Sequence, residues 1–238
     1  MNKLDQLRQE LEHLTKSLGV RYFGVADLTP ARDFIVQQGG DFLGEYRYGV
    51  ALGYPLATGY VDMLPYQNSR AALTTYRFMH HHVDHWLDMV NVQVSCLIEN
   101  AGYKALPVPT DEIMDRTQHL SVFSLKIPFH LAGLGWMGKN NLVITPEIGP
   151  RLRLGAVLTS APMAIFASGT MASQCGDCQI CVEACPIGAL SGKDFDPNED
   201  REARVDVNKC VGYRREREKE QGAFVCGLCM YACKYRRK

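Results

Sequence analysis

Long apolar runs are missing from this sequence of 238 residues. None approaches the roughly 18 residues that a membrane-spanning helix requires, and the first residues lack the apolar core of a signal peptide. Net charge is missing as well, because 26 basic residues balance 26 acidic ones. This balance removes the overall electrostatic attraction that a non-specific nucleic-acid binder uses. We therefore expect a soluble, cytoplasmic protein that does not act on membranes.

Cysteine is almost absent from the first part of the chain, where Cys96 stands alone. The other eight of the nine cysteines lie between Cys175 and Cys233. In a chain without an export signal, such crowding indicates metal or cluster ligation and not a disulfide framework. Cys96 falls within a helical pattern, and we expect it to be a buried, small apolar residue without a redox role.

Helical and strand patterns alternate through the first part of the chain. Leucines at steps of three and four predict an opening helix, and a longer helix is expected from about residue 69 to residue 100. After a glycine-rich loop, the apolar runs 142–145 and 152–158 are expected to form a hairpin. Further strands are predicted from short apolar runs bounded by glycine or proline at residues 22–28, 48–56 and 103–108.

Strands mixed with helices indicate a layered α/β domain, of the α+β kind, over residues 1–168. The polar stretch around Ser168 and Gly169 is the expected seam, so the cysteine-rich residues 169–238 form a second, smaller domain. This organisation separates a large domain with a substantial core from a module whose structure depends on its thiol ligands.

The cysteine-rich segment begins with the spacing C-x2-C-x2-C-x3-C-P at residues 175–186. In this run three thiolates hold one cubane cluster, and the fourth reaches across to a second cluster. Zinc is the alternative, but tetrahedral zinc sites usually pair two C-x2-C knuckles separated by a longer loop, so the spacing favours clusters. The remaining ligands come from C-x2-C-x3-C at residues 226–233 and from the lone Cys210.

Eight thiolates suit two 4Fe–4S clusters, which we expect to pass single electrons from a docked donor to a deeper acceptor. In the cross-over arrangement, each cluster takes three ligands from one cysteine group and its fourth ligand from the other. Cluster one is assigned Cys175, Cys178, Cys181 and Cys233, and cluster two is assigned Cys185, Cys210, Cys226 and Cys229.

Two segments resemble the epoxyqueuosine reductase family of cobalamin-dependent iron–sulfur enzymes. Residues 132–140 are similar to that family's AGLGW-x-GK-N segment, and residues 210–213 are similar to its isolated cysteine with a nearby tyrosine. The resemblance is good from about residue 69 to Cys233 and looser before it. It implies a nitroreductase-like α/β domain that holds cobalamin, followed by a bacterial ferredoxin-like module whose two clusters reduce the cobalt.

The resemblance also implies a role for the glycine-rich loop. Glycine leaves room for backbone to approach a large flat corrin ring. Without the resemblance, the same loop would be interpreted as a tight helix-to-strand turn packed under Trp136. The cofactor-binding prediction comprises Gly133, Gly135, Trp136, Gly138, Lys139 and Asn140.

The proton donor proposed for the family is an aspartate shortly before the AGLGW segment. Gapless spacing places His119 at that position, with Asp115 and Asp111 further upstream, so the catalytic acid is left open among these three residues. Imidazole suits acid catalysis because it titrates near neutral pH. The alternative is a loop histidine that contacts only solvent.

Together these expectations describe a cobalamin-dependent reductase that receives electrons from a ferredoxin or flavodoxin and acts on a small or nucleoside-like substrate. Family members that act on transfer RNA continue into a helical-repeat domain, whereas this sequence ends five residues after Cys233, which puts a transfer-RNA substrate in doubt. The alternative is a non-catalytic electron carrier, or an activator that reduces the corrinoid of another protein. The large first domain favours the enzyme, because an electron carrier alone would not need it.

Overall fold

The structure, a computed structural model, describes residues 2–163 and 169–237. Ser168, the first residue of the expected seam, lies outside the described residues. None of the described helices is both long and apolar enough to cross a membrane. In chain order the helices and strands are α1 (Lys3–Ser17), β1 (Tyr22–Asp27), α2 (Arg32–Gly39), β2 (Tyr48–Pro55), α3 (Thr58–Val61), α4 (Arg70–Asn100), β3 (Ala105–Val108), α5 (Lys126–Leu131), β4 (Trp136–Met137), β5 (Val143–Ile144), β6 (Leu152–Thr159), α6 (Ile180–Glu183), α7 (Val207–Gln221) and α8 (Leu228–Ala232).

The chain folds into two compact units, and neither is continuous in sequence. The first unit contains residues 1–55, 83–134 and 153–171. The second unit contains residues 56–82, 135–152 and 172–238. The cysteine-rich segment therefore folds together with two segments from the earlier part of the chain. One of them, residues 135–152, includes most of the glycine-rich loop.

A four-stranded sheet forms the centre of the first unit, with the strand order β1-β2-β6-β3. β1 runs antiparallel to β2, and β3 runs antiparallel to β6. The predicted strands at 22–28, 48–56 and 103–108 correspond to β1, β2 and β3, with ends that differ by two residues or fewer. The mixed α/β class is confirmed.

Helices α1 and α4 supply the apolar side chains that cover this sheet. Leu7 and Leu11 of α1 are buried, as are Val90, Val94 and Ile98 of α4. These residues recur at steps of three and four, which places them on one face of each helix. They share one core with residues of β1, β2 and β6 and of the segments that follow α1 and β6, namely Val20, Val25, Val50, Leu52, Val157, Ala161 and Met163.

The predicted hairpin between residues 142–145 and 152–158 is wrong. β5 pairs with β4, and β6 lies between β2 and β3 in the larger sheet. A tight turn folds β5 back onto β4: the Gly138 N–H donates to the Leu142 carbonyl at 2.8 Å, and Asn141 has φ 57°. Asparagine tolerates this left-handed conformation. The local turn therefore pairs β5 with β4, which precedes it directly, and not with β6.

The expectation that Cys96 is buried is also wrong, because its side chain is exposed. Val94 and Ile98 face the core from the same helix. Cys96 lies two residues from each of them, and two residues correspond to more than half a turn of an α-helix. The helical pattern was predicted correctly, and the side of the helix on which the thiol lies was not.

Candidate functional site

The eight cysteines of the second unit lie in α6, α7 and α8 or in the turns just before and after α6 and α8. The backbone of α7 begins with a capping interaction, in which the Asp206 carboxylate accepts from the Lys209 N–H at 2.9 Å, and Cys210 follows in the first turn. Gly227 begins α8 with φ 73°, and an added Cβ would lie 2.8 Å from Leu64. The turn between Cys226 and α8 therefore requires glycine.

The first group of thiols is centred on Cys181. Burial, together with smaller contributions from Cys233, Cys175 and Cys178, raises the pKa of Cys181 to about 11. Burial also raises the pKa of Cys233, with further contributions from Cys175 and Cys178. The structure therefore brings together the four cysteines assigned to cluster one, although Cys233 is far from the other three in sequence.

The second group of thiols is centred on Cys229. Burial, together with smaller contributions from neighbouring thiols, first Cys226 and then Cys210, raises the pKa of Cys229 to about 12. Cys185 contributes to the raised pKa values of Cys210, Cys226 and Cys229. The four cysteines assigned to cluster two thus also lie together. Cys181 contributes to the pKa of Cys229 as well, so the two groups are neighbours.

An all-thiol donor set of four plus four fits two iron–sulfur clusters, because cubane clusters are held by cysteine thiolates. Among the described residues, no three His, Cys, Asp or Glu side chains are placed to hold a single metal ion. The raised pKa values mean that burial opposes the formation of free thiolates. Binding of a cluster must therefore release protons from these thiols. Their deprotonation is then favoured by the positive charge of bound iron.

A small cavity opens among the thiols of cluster one. Its walls include all four cluster-one cysteines and none of those assigned to cluster two. The other residues that line it are Lys139, Asn140, Ile144, Ile180, Lys234 and Tyr235.

Lys139 and Asn140 of the glycine-rich loop bond to the backbone of both cysteine groups. The Lys139 Nζ donates at 2.6 Å to the carbonyl of Gly176, which lies between two cysteines assigned to cluster one. The Asn140 Nδ2 donates at 3.2 Å to the carbonyl of Cys229, which is assigned to cluster two. Both side chains are 5% exposed. Sequence reasoning placed these residues at a corrin ring and missed their contacts with the cluster segments.

In the same loop, the positions that a side chain would occupy at Gly135 and Gly138 are taken by other atoms of the protein. A Cβ on Gly135 would lie 2.6 Å from the Ile144 carbonyl oxygen, and one on Gly138 would also meet Ile144. Trp136 is buried and packs edge to face on Tyr235, with ring centres 5.0 Å apart. The geometry is that of a tight turn packed with Trp136. Corrin binding by the predicted set stays a prediction, and of that set only Gly133 is not buried.

The loop that contains the candidate acids ends in a narrow antiparallel bridge between Asp115 and Leu120. The Asp115 carboxylate accepts from the N–H groups of Thr117 at 2.7 Å and Gln118 at 2.9 Å. These hydrogen bonds, first that from Gln118, lower the pKa of Asp115. His119 is half-buried, has φ 54°, and its charge also lowers the pKa of Asp115. The structure therefore brings His119 and Asp115 together at the end of this loop.

Asp111 lies instead near a buried ion pair that sequence reasoning missed. Arg153 of β6 donates to both carboxylate oxygens of Asp84 on α4, at 2.5 and 2.6 Å, and Asp84 is 1% exposed. Burial raises the pKa of Asp84, Arg153 opposes that change, and Asp111 and Asp88 add to it. The sequence does contain a signal for this pair. Asp84 lies three residues before the buried Leu87 and therefore on the inward face of α4, where a carboxylate needs a partner.

Two hydrogen bonds to α4, close to the ion pair, hold the start of the acid-bearing loop. The Thr110 hydroxyl donates to the backbone carbonyl of Asp84 at 3.1 Å. The Thr110 N–H donates to the Asp88 carboxylate at 2.9 Å. One end of the loop that leads to His119 is therefore held by hydrogen bonds to α4.

Comparison with known proteins identifies the cysteine-rich segment. The family described as a 4Fe-4S double cluster binding domain matches residues 174–236. The epoxyqueuosine reductase of Listeria monocytogenes is 36% identical over 117 residues, which cover 44% of this chain and 28% of that protein. This chain thus spans about a third or less of that curated relative.

Solved structures share the fold of nearly the whole chain. A selenomethionine-labelled epoxyqueuosine reductase superposes with a TM-score of 0.61 at 19% identity, covering 98% of this chain and 66% of that chain. A reductive dehalogenase, whose structure suggested a mechanism for B12-dependent dehalogenation, superposes with a TM-score of 0.64 at 19% identity, covering 96% of this chain and 31% of that one. The α/β fold with a C-terminal double-cluster domain is therefore confirmed.

Proposed function

We propose that this chain, which is similar to epoxyqueuosine reductases and matches a 4Fe-4S double cluster binding domain over residues 174–236, is a corrinoid-dependent reductase. In this proposal electrons from a ferredoxin or flavodoxin pass through the two 4Fe–4S clusters to cobalamin. The reduced corrinoid then acts on a small or nucleoside-like substrate. Of the two proposed domains, residues 1–168 would bind cobalamin and the substrate, and residues 169–238 would bind the clusters.

The observation that carries the proposal is the pairing of the thiols into two neighbouring groups. Cys181 of the first group contributes to the raised pKa of Cys229 in the second, which supports two clusters lying side by side. One cluster alone can stabilise a fold, whereas two adjacent clusters form a path for single electrons. Cluster potentials span a range that reaches about −700 mV, so such a path can supply the strongly reducing electrons that cobalt chemistry needs.

The corrinoid itself is supported by the fold and by the family. The whole first unit, with its sheet and two covering helices, has counterparts in an epoxyqueuosine reductase and in a reductive dehalogenase studied for B12-dependent chemistry. When bound, cobalamin would supply a strongly nucleophilic, reducing metal centre. We propose that it contacts the loop near Gly133, while the buried residues Gly135 to Asn140 shape that loop and hold the cluster segments.

Within this proposal His119 is the preferred acid. Asp115 uses its carboxylate to accept two backbone N–H groups, and its lowered pKa keeps it ionised near neutral pH, where it has no proton to donate. His119 lies beside Asp115, within the narrow bridge that Asp115 forms with Leu120. Asp111, exposed at the start of the loop, remains the carboxylate alternative.

Replacing His119 with alanine is expected to lower turnover of epoxyqueuosine nucleoside by about 10²–10⁴-fold, the range for loss of a general acid. Iron content and cobalamin binding should be unchanged. Because only a protonated imidazolium can act as the acid, wild-type activity should fall as pH rises, and the variant should lose this dependence. Rates would be measured anaerobically over a pH series.

Asp115→Asn is the matched control, because an asparagine oxygen can still accept from the two N–H groups. Its rate should stay within a few-fold of wild type. A large loss in Asp115→Asn beside an unchanged rate in His119→Ala would transfer the acid role to the carboxylate. A loss confined to Asp111→Asn would transfer it to Asp111.

The proposal is tested by titrating the anaerobically reconstituted chain with cobalamin and recording the visible spectrum. We expect saturable binding of one cobalamin per chain. The buried state of the loop from Gly135 to Asn140 favours the alternative of an electron carrier or an activator of another corrinoid protein. Full iron content without any cobalamin affinity would select that alternative.

A further inference from the structure

We propose that Lys139 sets the reduction potential of cluster one, because its buried ammonium group stabilises the negative charge that this cluster gains on reduction. One electron enters from an external reductant, and no bond is formed or broken. The inference rests on the double-cluster domain and not on the corrinoid. It assigns to Lys139 a redox role that is separate from the corrin contact that the sequence predicted.

The position of the ammonium is fixed by the protein. Lys139 is 5% exposed, and its Nζ donates to the Gly176 carbonyl at 2.6 Å. Gly176 lies between Cys175 and Cys178, which are both assigned to cluster one. Lys139 also lines the cavity whose walls include the four cluster-one cysteines and none from cluster two. The charge is therefore placed beside one cluster in particular.

The positive charge of Lys139 is only weakly neutralised. Its nearest carboxylate is that of Asp194, at 4.0 Å, and the Asp194 side chain is 55% exposed and so screened by water. The buried ammonium is screened much less. Because cluster potentials depend on nearby net charge and solvent exposure, a fixed cation here favours the reduced form of cluster one.

Lys139→Gln should lower the midpoint potential of cluster one by about 59 mV or more, which is a tenfold change in the one-electron reduction equilibrium. The measurement is a dithionite titration of the anaerobic full chain, followed by electron paramagnetic resonance. The signal of cluster one is the one that disappears in Cys178→Ala. Cluster two should shift less. Lys193→Gln is the matched control, since it removes the same charge from the exposed neighbour of Asp194 and should leave both potentials unchanged.

A second variant changes the charge near cluster one at the exposed partner of Lys139. Asp194→Asn removes the partial neutralisation of Lys139 and should raise the potential of cluster one by less than Lys139→Gln lowers it. Unchanged potentials in an iron-replete Lys139→Gln protein would overturn the proposal. If that variant loses iron, an unchanged potential in Asp194→Asn overturns it instead. Failure to bind cobalamin would overturn the proposed function and leave these potentials as predicted.

Discussion

A protein with both Cys178→Ala and Cys233→Ala is expected to keep about half of its iron, whereas one with Cys178→Ala and Cys185→Ala is expected to keep almost none. The two proteins differ only in the second cysteine removed. In the cross-over arrangement Cys178 and Cys233 bind the same cluster, so their removal costs one cluster. Cys185 binds the other cluster, so the second combination removes a ligand from each.

The structure provides the physical basis of this expectation. Cys233 raises the pKa of Cys181, and Cys185 raises the pKa values of Cys210 and Cys226, as only near neighbours do. Assignment by sequence proximity alone would place Cys185 with Cys181 and would predict the opposite result for the two double variants.

Iron would be measured per chain after anaerobic reconstitution, with about eight iron atoms expected in the wild type from two four-iron clusters. Cys96→Ala is the control, because Cys96 is exposed on α4 and outside both thiol groups. It should keep the full amount. Equal iron loss in the two double variants would show that the cross-over assignment is incorrect, and zinc in place of iron would contradict the cluster interpretation itself.

Arg153→Met is expected to destabilise the protein by about 3–5 kcal/mol, the usual cost of removing one partner from a buried ion pair. Asp84 would keep its negative charge at 1% exposure without the two hydrogen bonds from Arg153. The midpoint of urea unfolding, measured anaerobically on cluster-loaded protein by circular dichroism, should fall accordingly. The same substitution should loosen the Thr110 end of the acid-bearing loop, which hydrogen-bonds to α4 at Asp84 and Asp88.

The pH dependence of this variant has a definite sign. Burial already raises the pKa of Asp84 above its ordinary value of 3.8, and loss of Arg153 removes the contributions that oppose this. An acid whose pKa is higher in the folded state loses stability as pH rises from 3.8 through the folded pKa. The deficit of Arg153→Met should therefore be smaller at mildly acidic pH than at alkaline pH.

Arg47→Met is the matched control for the ion pair. Arg47 is bonded to Asp27, but its side chain is 64% exposed, and pairs of this kind contribute at most about 1 kcal/mol. The double variant Asp84→Leu with Arg153→Met should recover much of the lost stability, because it leaves no unpaired charge. Similar losses from Arg153→Met and Arg47→Met would show that burial of the first pair does not matter.

The elements that sequence patterns predicted well are those controlled by local periodicity or local chemistry. The stripe that includes Leu7 and Leu11 defines α1, and the apolar face with Val90 and Val94 defines α4. Cysteine spacing is equally local for Cys175, Cys178 and Cys181. The assignment of Cys185 and Cys233 to opposite clusters stays a prediction, which rests on the cross-over geometry usual for this cysteine run.

The elements that sequence patterns did not predict depend on partners distant in the chain. Nothing near Lys139 in sequence indicates that its ammonium bonds to Gly176, and nothing near Asp84 indicates Arg153 as its partner. The pairing of β5 with β4 was missed because the left-handed conformation of Asn141 was not recognised as a turn. In each case tertiary contacts decide what a locally ambiguous segment does.

The proposed transfer of electrons from the two clusters to cobalamin can be observed directly by spectroscopy. The reconstituted chain would be reduced, separated from excess reductant, and mixed anaerobically with cob(II)alamin while the visible spectrum is recorded. We expect the clusters to be reoxidised while the spectrum of reduced cobalt appears, and we expect protein with both Cys178→Ala and Cys185→Ala to give no such change. Clusters that stay reduced beside unchanged cob(II)alamin would contradict the proposed transfer.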